Sequence, residues 1–267
     1  MHEKAIVGVD FSPAGELLEQ ALPKLKQLGT RELTLVHVMA TGYGSTPQST
    51  HEEHYRGELE ALAERLRRQG FSVEVDLRSG EPALELERAA LESSATLIVA
   101  GTRGHRPLRD LFLGNVALGL ARTARRALLL LPLGQHDDAG DTLVLATDGS
   151  AQAEAAEAAA LALLALKGQF ARVLAVSVAD SGDPETREQY TRTLEAHLSS
   201  LRERAPVETR VLEGDPARTI VDVAAREKAG LLVLGKRGHN PLTELLLGST
   251  AERVLRRATV PVLMVPG

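Results

Sequence analysis

Gly101-Thr102-Arg103-Gly104-His105-Arg106-Pro107-Leu108 returns in this chain as Gly235-Lys236-Arg237-Gly238-His239-Asn240-Pro241-Leu242. Gly80-Glu81-Pro82-Ala83 likewise returns as Gly214-Asp215-Pro216-Ala217, and both pairs lie 134 positions apart. Nearer the front, Val9-Asp10-Phe11-Ser12 corresponds to Thr147-Asp148-Gly149-Ser150 at a spacing of 138. The insertions therefore fall in an exposed connection, where added length is tolerated. The chain is a tandem duplication, and each copy, about 130 residues long, is the size of a domain. The polar stretch Gly134-Gln135-His136-Asp137-Asp138-Ala139-Gly140 marks the seam. Domains are expected at 1–134 and 141–267.

Within a copy, short β-branched runs alternate with longer helical stretches. In the first copy the pattern predicts strands at Ala5–Val9, Leu33–Met39, Phe71–Leu77, Thr96–Ala100 and Ala127–Leu131. Helices are expected at Ala14–Leu28, Glu52–Gln69, Glu81–Ser93 and Val116–Arg125. The second copy predicts strands at Thr142–Ala146, Arg172–Val178, Val207–Leu212, Leu231–Leu234 and Val260–Val265, with helices at Ala151–Lys167, Pro184–Glu203, Pro216–Lys228 and Thr250–Arg257. Gly29, Gly70 and Gly168 stand just past helix ends, where a left-handed residue is wanted. Pro82 and Pro216 stand where a helix begins and needs no N–H. Strands alternating with helices require right-handed crossovers and a parallel sheet. Unbroken apolar runs such as Leu97-Ile98-Val99-Ala100 fit strands buried on both faces. The expected fold class is α/β: two tandem five-stranded, parallel-sheet, Rossmann-like domains, strand order 3-2-1-4-5, helices on both faces.

Ligands of such sheets bind beyond the strand carboxyl ends, where the winding reverses. With that order the reversal lies between strands 1 and 4. Strand 1 leads to Asp10 in one copy and Asp148 in the other, and strand 4 leads to Gly101 or Gly235. The loop after strand 4 of the second copy reads Gly235-x-x-Gly238, nine residues, then Gly248-Ser249-Thr250 opening the last helix. A helix N-terminus offers unpaired N–H groups and a dipole that favours an anion such as phosphate. Glycine lets the backbone approach that anion closely, and the Ser249 and Thr250 hydroxyls can cap the helix or donate to phosphate oxygens. Turn glycines with an ordinary cap are the plain alternative. Neither copy has a P-loop or a Gly-x-Gly-x-x-Gly after strand 1, which disfavours a Walker ATPase and an NAD dehydrogenase.

Composition narrows the classes further. With 31 Lys+Arg against 36 Asp+Glu the formal charge is −5, and no basic face for nucleic acid is evident. Three Tyr, four Phe and no Trp leave little for base-stacking platforms. Cysteine is absent, which removes disulfides and thiol chemistry and fits a reducing cytosol. The longest apolar stretches fall well short of the ~20 residues that span a bilayer. A cytoplasmic protein with no membrane partner is expected.

The chain resembles the universal stress proteins, tandem type, whose ATP-binding members carry Gly-x2-Gly-x9-Gly-Ser/Thr. Gly235, Gly238, Gly248 and Ser249 match in full, with Asp148 at strand 1 and the continuation Ala251 to Val262. The resemblance implies that Asp148 contacts the nucleoside and that backbone at Val178, the end of strand 2, meets the adenine edge. It also implies that the glycine loop with Ser249 and Thr250 holds the phosphates of ATP, often with a divalent ion such as Mg2+ or Mn2+. In the first copy Gly101, Gly104 and Gly114 keep the spacing and Asp10 and Val38 remain, but Asn115 replaces the hydroxyl residue. A weaker or degenerate second nucleotide site is expected there. The reading is a nucleotide-dependent stress-response regulator rather than an enzyme, because no base or second-substrate site is identifiable. A slow ATPase or phosphotransferase and a ligand-free interaction module are the alternatives. An unidentified protein partner and a homodimer of the tandem chain are further expectations, neither of them carried by a sequence pattern.

His105 and His239 after the second glycines read as loop structure, and Arg103, Arg106, Lys236 and Arg237, which flank the loops, read equally as charges that screen phosphate or as ordinary surface solvation. His51-Glu52-Glu53-His54 lacks zinc-site spacing and reads as part of a polar connection.

Overall fold

A computed structural model describes residues 2–39, 48–102, 113–132, 140–166, 169–179, 184–203, 206–238 and 247–267. They form two compact units, one from each half of the chain. The first unit runs β1 (Lys4–Gly8), α1 (Pro13–Ala21), β2 (Glu32–Met39), α2 (Gln48–Arg68), β3 (Ser72–Ser79), α3 (Pro82–Glu92), β4 (Leu97–Gly101), α4 (Asn115–Thr123) and β5 (Ala127–Leu131). The second runs β6 (Thr142–Ala146), α5 (Glu154–Leu164), β7 (Arg172–Ala179), α6 (Pro184–His197), α7 (Ser199–Arg202), β8 (Val207–Glu213), α8 (Pro216–Arg226), β9 (Leu231–Gly235), α9 (Ser249–Arg257) and β10 (Val262–Val265).

The strand order is β3-β2-β1-β4-β5 in the first unit and β8-β7-β6-β9-β10 in the second. The strand pairings within each unit are parallel, with Val7 opposite both Leu35 and Val99 and Val144 opposite both Leu174 and Leu232. Successive strand residues point to opposite faces. Ala5, Ile6 and Val7, like Leu143, Val144 and Leu145, are nevertheless all inaccessible, so both faces of each sheet are covered by helices and loops. Apolar side chains supply that cover: Leu59, Ala63 and Leu66 of α2 and Val254 of α9 are fully buried. Burial of this kind contributes roughly 25 cal/mol per Å² of apolar surface.

Several boundaries moved for identifiable reasons. The helix expected over Ala14–Leu28 ends at Ala21 and continues as a 3-10 segment over Leu22–Leu28, because Pro23 has no N–H for an i→i−4 bond. The helix expected at Pro184–Glu203 is broken after His197, and that at Ala151 opens with a 3-10 turn. The strand expected at Val260 starts at Val262, just past Pro261, which cannot donate to a ladder. His51 to His54 lie in the first turns of α2 and not in a connection. Gly29 and Gly70 take the left-handed conformation, at φ 84° and 88°; Gly168 lies outside the described residues. Pro82 and Pro216 open α3 and α8, capped by the carboxylates of Glu81 and Asp215, which accept from the N–H groups of Leu84 and Arg218 at 2.8 and 2.9 Å.

Candidate functional site

In the second unit the winding reverses between β6 and β9, and the turn after β6 is tightly specified. Thr147 N–H still donates to Val176 O of β7 (3.0 Å). Its hydroxyl donates to Glu157 Oε1 of α5 (2.7 Å) and accepts from Gly149 N–H (3.1 Å). Gly149 has φ 68°, a left-handed value that glycine adopts without strain. Asp148 Oδ1 then accepts from Ser150 N–H at 3.1 Å.

The loop after β9 meets this turn. A methyl group on Gly238 would stand 2.6 Å from Asp148 Oδ2, and one on Gly235 would stand 2.9 Å from Arg237 O and 3.2 Å from Gln152 O. Gly248 is similarly close to Lys236 O, to which its N–H donates at 3.0 Å. The three glycines thus serve the loop's own packing: they let residues 235–238 press against the β6 turn and close onto the start of α9. Lys236 is buried and Arg237 half-buried, which runs against surface solvation as the role of Lys236.

Gly248 occupies the N-cap of α9 without a side-chain cap bond, leaving Ser249 and Thr250 as the first two helical residues. Neither hydroxyl is therefore the cap, which corrects that expectation. The first N–H bonded within the helix is that of Glu252, to Gly248 O at 2.9 Å. Helical geometry leaves the N–H groups of Ser249, Thr250 and Ala251 without an intrahelical acceptor. Ser249 is exposed and Thr250 half-buried, so this positive helix end is within reach of a solute.

Val178 sits on the other side of the crevice. The β6–β7 ladder ends at Ala146 opposite Val176. Backbone groups alternate sides along a strand, and Val176 O faces β6 while Val173 N–H faces β8. Val178 therefore turns its N–H and C=O toward β6 beyond the point where β6 stops. The hydroxyls of Ser150 and Ser177 are buried with no hydrogen-bond partner among the described residues, a cost unless water or a ligand meets them.

The first unit repeats this frame and fills it differently. Gly114 N–H donates to Thr102 O and Thr102 N–H to Leu131 O, both at 2.9 Å, mirroring Gly248 to Lys236 and Lys236 to Val265. Gly101 ends β4, and Asn115 is the first residue of α4, which Gly114 caps. Arg103, Gly104, His105 and Arg106, like His239, lie outside the described residues. Asp10 is exposed, and its Oδ1 accepts from both the N–H and the hydroxyl of Ser12, at 3.1 and 2.8 Å. Val38 again extends past its neighbour strand, since β1 stops at Gly8 opposite Val36.

Beside Asp10 and Val38, the neighbouring residues Phe11 and His37 belong to a cluster of rings. Phe11 stands where the second unit has Gly149, in a left-handed conformation at φ 50°. Its ring lies 5.0 Å from His37 and 5.8 Å from Tyr55 of α2, and His37 lies 4.3 Å from Tyr55. The His37 ring nitrogen bonds to Val9 O at 2.8 Å, and burial pushes its pKa down, against the raising effects of that bond and of Asp10. Sequence reading missed both this cluster and the Thr147–Glu157 contact. The replacement of Val9 by Thr147 between the copies was the available signal for the latter.

The universal stress protein family profile matches residues 1–132 and 141–266. A universal stress protein of Mycolicibacterium smegmatis is 29% identical over 287 residues, covering 97% of this chain and 96% of its own. One from Thermus aquaticus is 37% identical over 136 residues, 46% of this chain and 97% of its own length. The crystal structure of a universal stress protein from Archaeoglobus fulgidus superposes with a TM-score of 0.82 over 100% of this chain and 99% of that one, at 22% identity, and so shares the fold. With a matched domain in each half, the chain belongs to the universal stress protein family, in its tandem form.

Proposed function

We propose that the second unit binds ATP, and that occupancy, not turnover, is what the protein contributes to the stress response. The observation that carries the reading is the meeting of three groups at one switch point: Asp148, held 2.6 Å from where a Gly238 methyl would stand, the open first turn of α9, and the unpaired backbone edge of Val178. A carboxylate suits ribose hydroxyls, exposed helix N–H groups suit phosphates, and a backbone edge suits an adenine. The orphaned Ser150 and Ser177 hydroxyls fit a site completed by a solute. Among the described residues no three His, Asp or Glu side chains gather as a metal site, so Mg2+ or Mn2+ would be held through the phosphates. No described helix is long and apolar enough to cross a membrane, and we place the protein's action in the cytosol.

The first unit is the weaker site. Asn115 and Val116 supply no hydroxyl at α4, and Phe11 replaces Gly149 in the turn, its ring clustered with those of His37 and Tyr55. Native mass spectrometry of the purified chain with ATP tests both statements. One added ATP mass is expected, lost in Gly248→Val, with phosphate release at background. Retention of the ligand by that variant would move the site elsewhere, and rapid phosphate release would make the protein an enzyme.

A further inference from the structure

We propose that Glu157 and His197 are positioning residues that tune ligand affinity in the second unit with pH, acting through Thr147; this rests on the nucleotide reading of that unit. Glu157 of α5 is 8% exposed, and both ends of its carboxylate are engaged. Oε1 accepts from the Thr147 hydroxyl at 2.7 Å, and Oε2 lies 3.6 Å from His197 Nδ1 at the end of α6. The Thr147 hydroxyl in turn accepts from Gly149 N–H at 3.1 Å. A hydroxyl carries one proton, so donation to Glu157 fixes which lone pair is left for Gly149. The carboxylate thereby sets the turn that aims Asp148. Helix α6 also touches that turn directly: a methyl on Gly149 would meet Thr193 Cγ2 at 2.6 Å and His197 Cδ2 at 3.8 Å.

The duplication supplies an internal control. In the first unit Glu19 occupies the position of Glu157, and its partner from the following long helix is Arg65, bonded at 2.5 and 2.9 Å. The contact between first and second helices is thus kept in both copies, with a permanent cation in one and an imidazole in the other. Only in the second copy is it wired to the turn, because Thr147 is Val9 in the first. An imidazole gains its charge between pH 5 and 8, and a charged ring draws Glu157 and α6 together over the turn. Of the other carboxylates on α6 and on elements packed against it, Glu195 of α6 is paired with Arg202 of α7 at 3.8 Å. Glu213 of β8 is paired with Arg187 at 3.9 Å, and Asp148 faces Gly238 and Ser150. Among the described residues, Glu157 is the carboxylate within ion-pair distance of His197.

The test compares ATP affinity of wild type, His197→Arg, His197→Gln and Glu157→Gln by calorimetry from pH 5.5 to 8.5. ATP itself titrates in this range, so the quantity read is the ratio of each protein's affinity to that of His197→Arg at the same pH. The wild-type ratio should be near unity at pH 5.5 and fall about fivefold by pH 8.5, the scale of a partly exposed ion pair. The His197→Gln ratio should stay flat at the low value. In Glu157→Gln, which keeps an acceptor for Thr147 but no charge, the ratio should also be flat. In parallel, the Gly149 amide signal of ligand-free protein should shift between pH 5.5 and 8.5 in wild type and stay still in His197→Arg. A flat wild-type ratio overturns the tuning, and a flat Gly149 signal overturns the relay itself. Absence of ATP binding with a titrating Gly149 would overturn the nucleotide reading alone and leave the relay standing.

Discussion

Replacing Gly238 by Ala adds one methyl group whose neighbours are known. It would stand 2.6 Å from Asp148 Oδ2 and 3.6 Å from its Cγ, where ordinary contact begins near 3.4 Å. Gly238 does not have a positive φ, so the perturbation is steric and not a backbone strain. Two relaxations are open. The carboxylate can rotate, which gives up the bond from Ser150 N–H at 3.1 Å. Alternatively residues 236–238 can retreat, which stretches the Gly248 N–H bond to Lys236 O at 3.0 Å. Either way the loop and the Asp148 carboxylate no longer meet the crevice in their present arrangement. A lost hydrogen bond to a charged group costs about 1.5–3 kcal/mol, which is roughly a 10- to 150-fold rise in Kd for ATP. The fold should lose only about 1 kcal/mol, or roughly 2–4 °C in melting temperature for a chain of this size. Calorimetric titration beside a thermal melt reads both, with Asp148→Asn as the variant that removes the charge and keeps the shape. A Gly238→Ala protein with wild-type Kd and wild-type melting would refute the proximity of loop and carboxylate on which the site depends.

The same Gly→Ala change should act with opposite sign at two other helical positions. Gly57 of α2 has nothing within 4 Å of an added methyl, so Gly57→Ala should stabilise by about 0.5–1 kcal/mol through helix propensity. A methyl on Gly119 of α4 would meet Ala83 of α3 at 2.9 Å, so Gly119→Ala should destabilise by about 1–3 kcal/mol through overpacking; thermal melts of the two variants decide. Acid should weaken the first unit: burial lowers the His2 pKa from 6.5 to about 4. Its folded form therefore binds fewer protons than its unfolded form between those values, and stability present above pH 6.5 is lost as pH falls toward 4. At 1.36 kcal/mol per unit this amounts to about 3 kcal/mol. Urea denaturation at pH 7 and pH 4.5 should show the loss in wild type and a flatter profile in His2→Asn, and equal slopes would refute it.

Legibility in the sequence followed the reach of the interactions involved. The duplication and the alternation of strand and helix repeat within a few residues or at a fixed offset, so β5 and β6 were read to their last residue. Elements whose limits depend on one backbone donor were misjudged: Pro23 and Pro261 each cost an expected stretch of helix or strand. Helix α2 was read from Glu52 onward and only its first turn was missed, because Gln48 to His51 carry no apolar face, while Leu59, Leu62, Ala63 and Leu66 below them do. The site divides in the same way. Glycine spacing and the strand-1 carboxylate are local signals, and they drew attention to Asp148 and the start of α9. What glycine does there was not local: Gly238 is small because Asp148 lies against it, a contact across 90 residues of sequence. Glu157 stands in an alanine-rich helix where a carboxylate reads as solvent-facing, and only the fold brings it to Thr147. Phe11, His37 and Tyr55 likewise come from three separate elements.

The most direct measurement is a crystal structure of the chain grown with ATP and Mg2+. Density for one nucleotide is predicted in the second unit, its ribose at Asp148, its base edge at the Val178 backbone and its phosphates at the N–H groups of Ser249 and Thr250. A nucleotide seated in the first unit between Asp10 and Asn115, or saturating ATP with the second crevice closed by the protein's own side chains, would contradict the account.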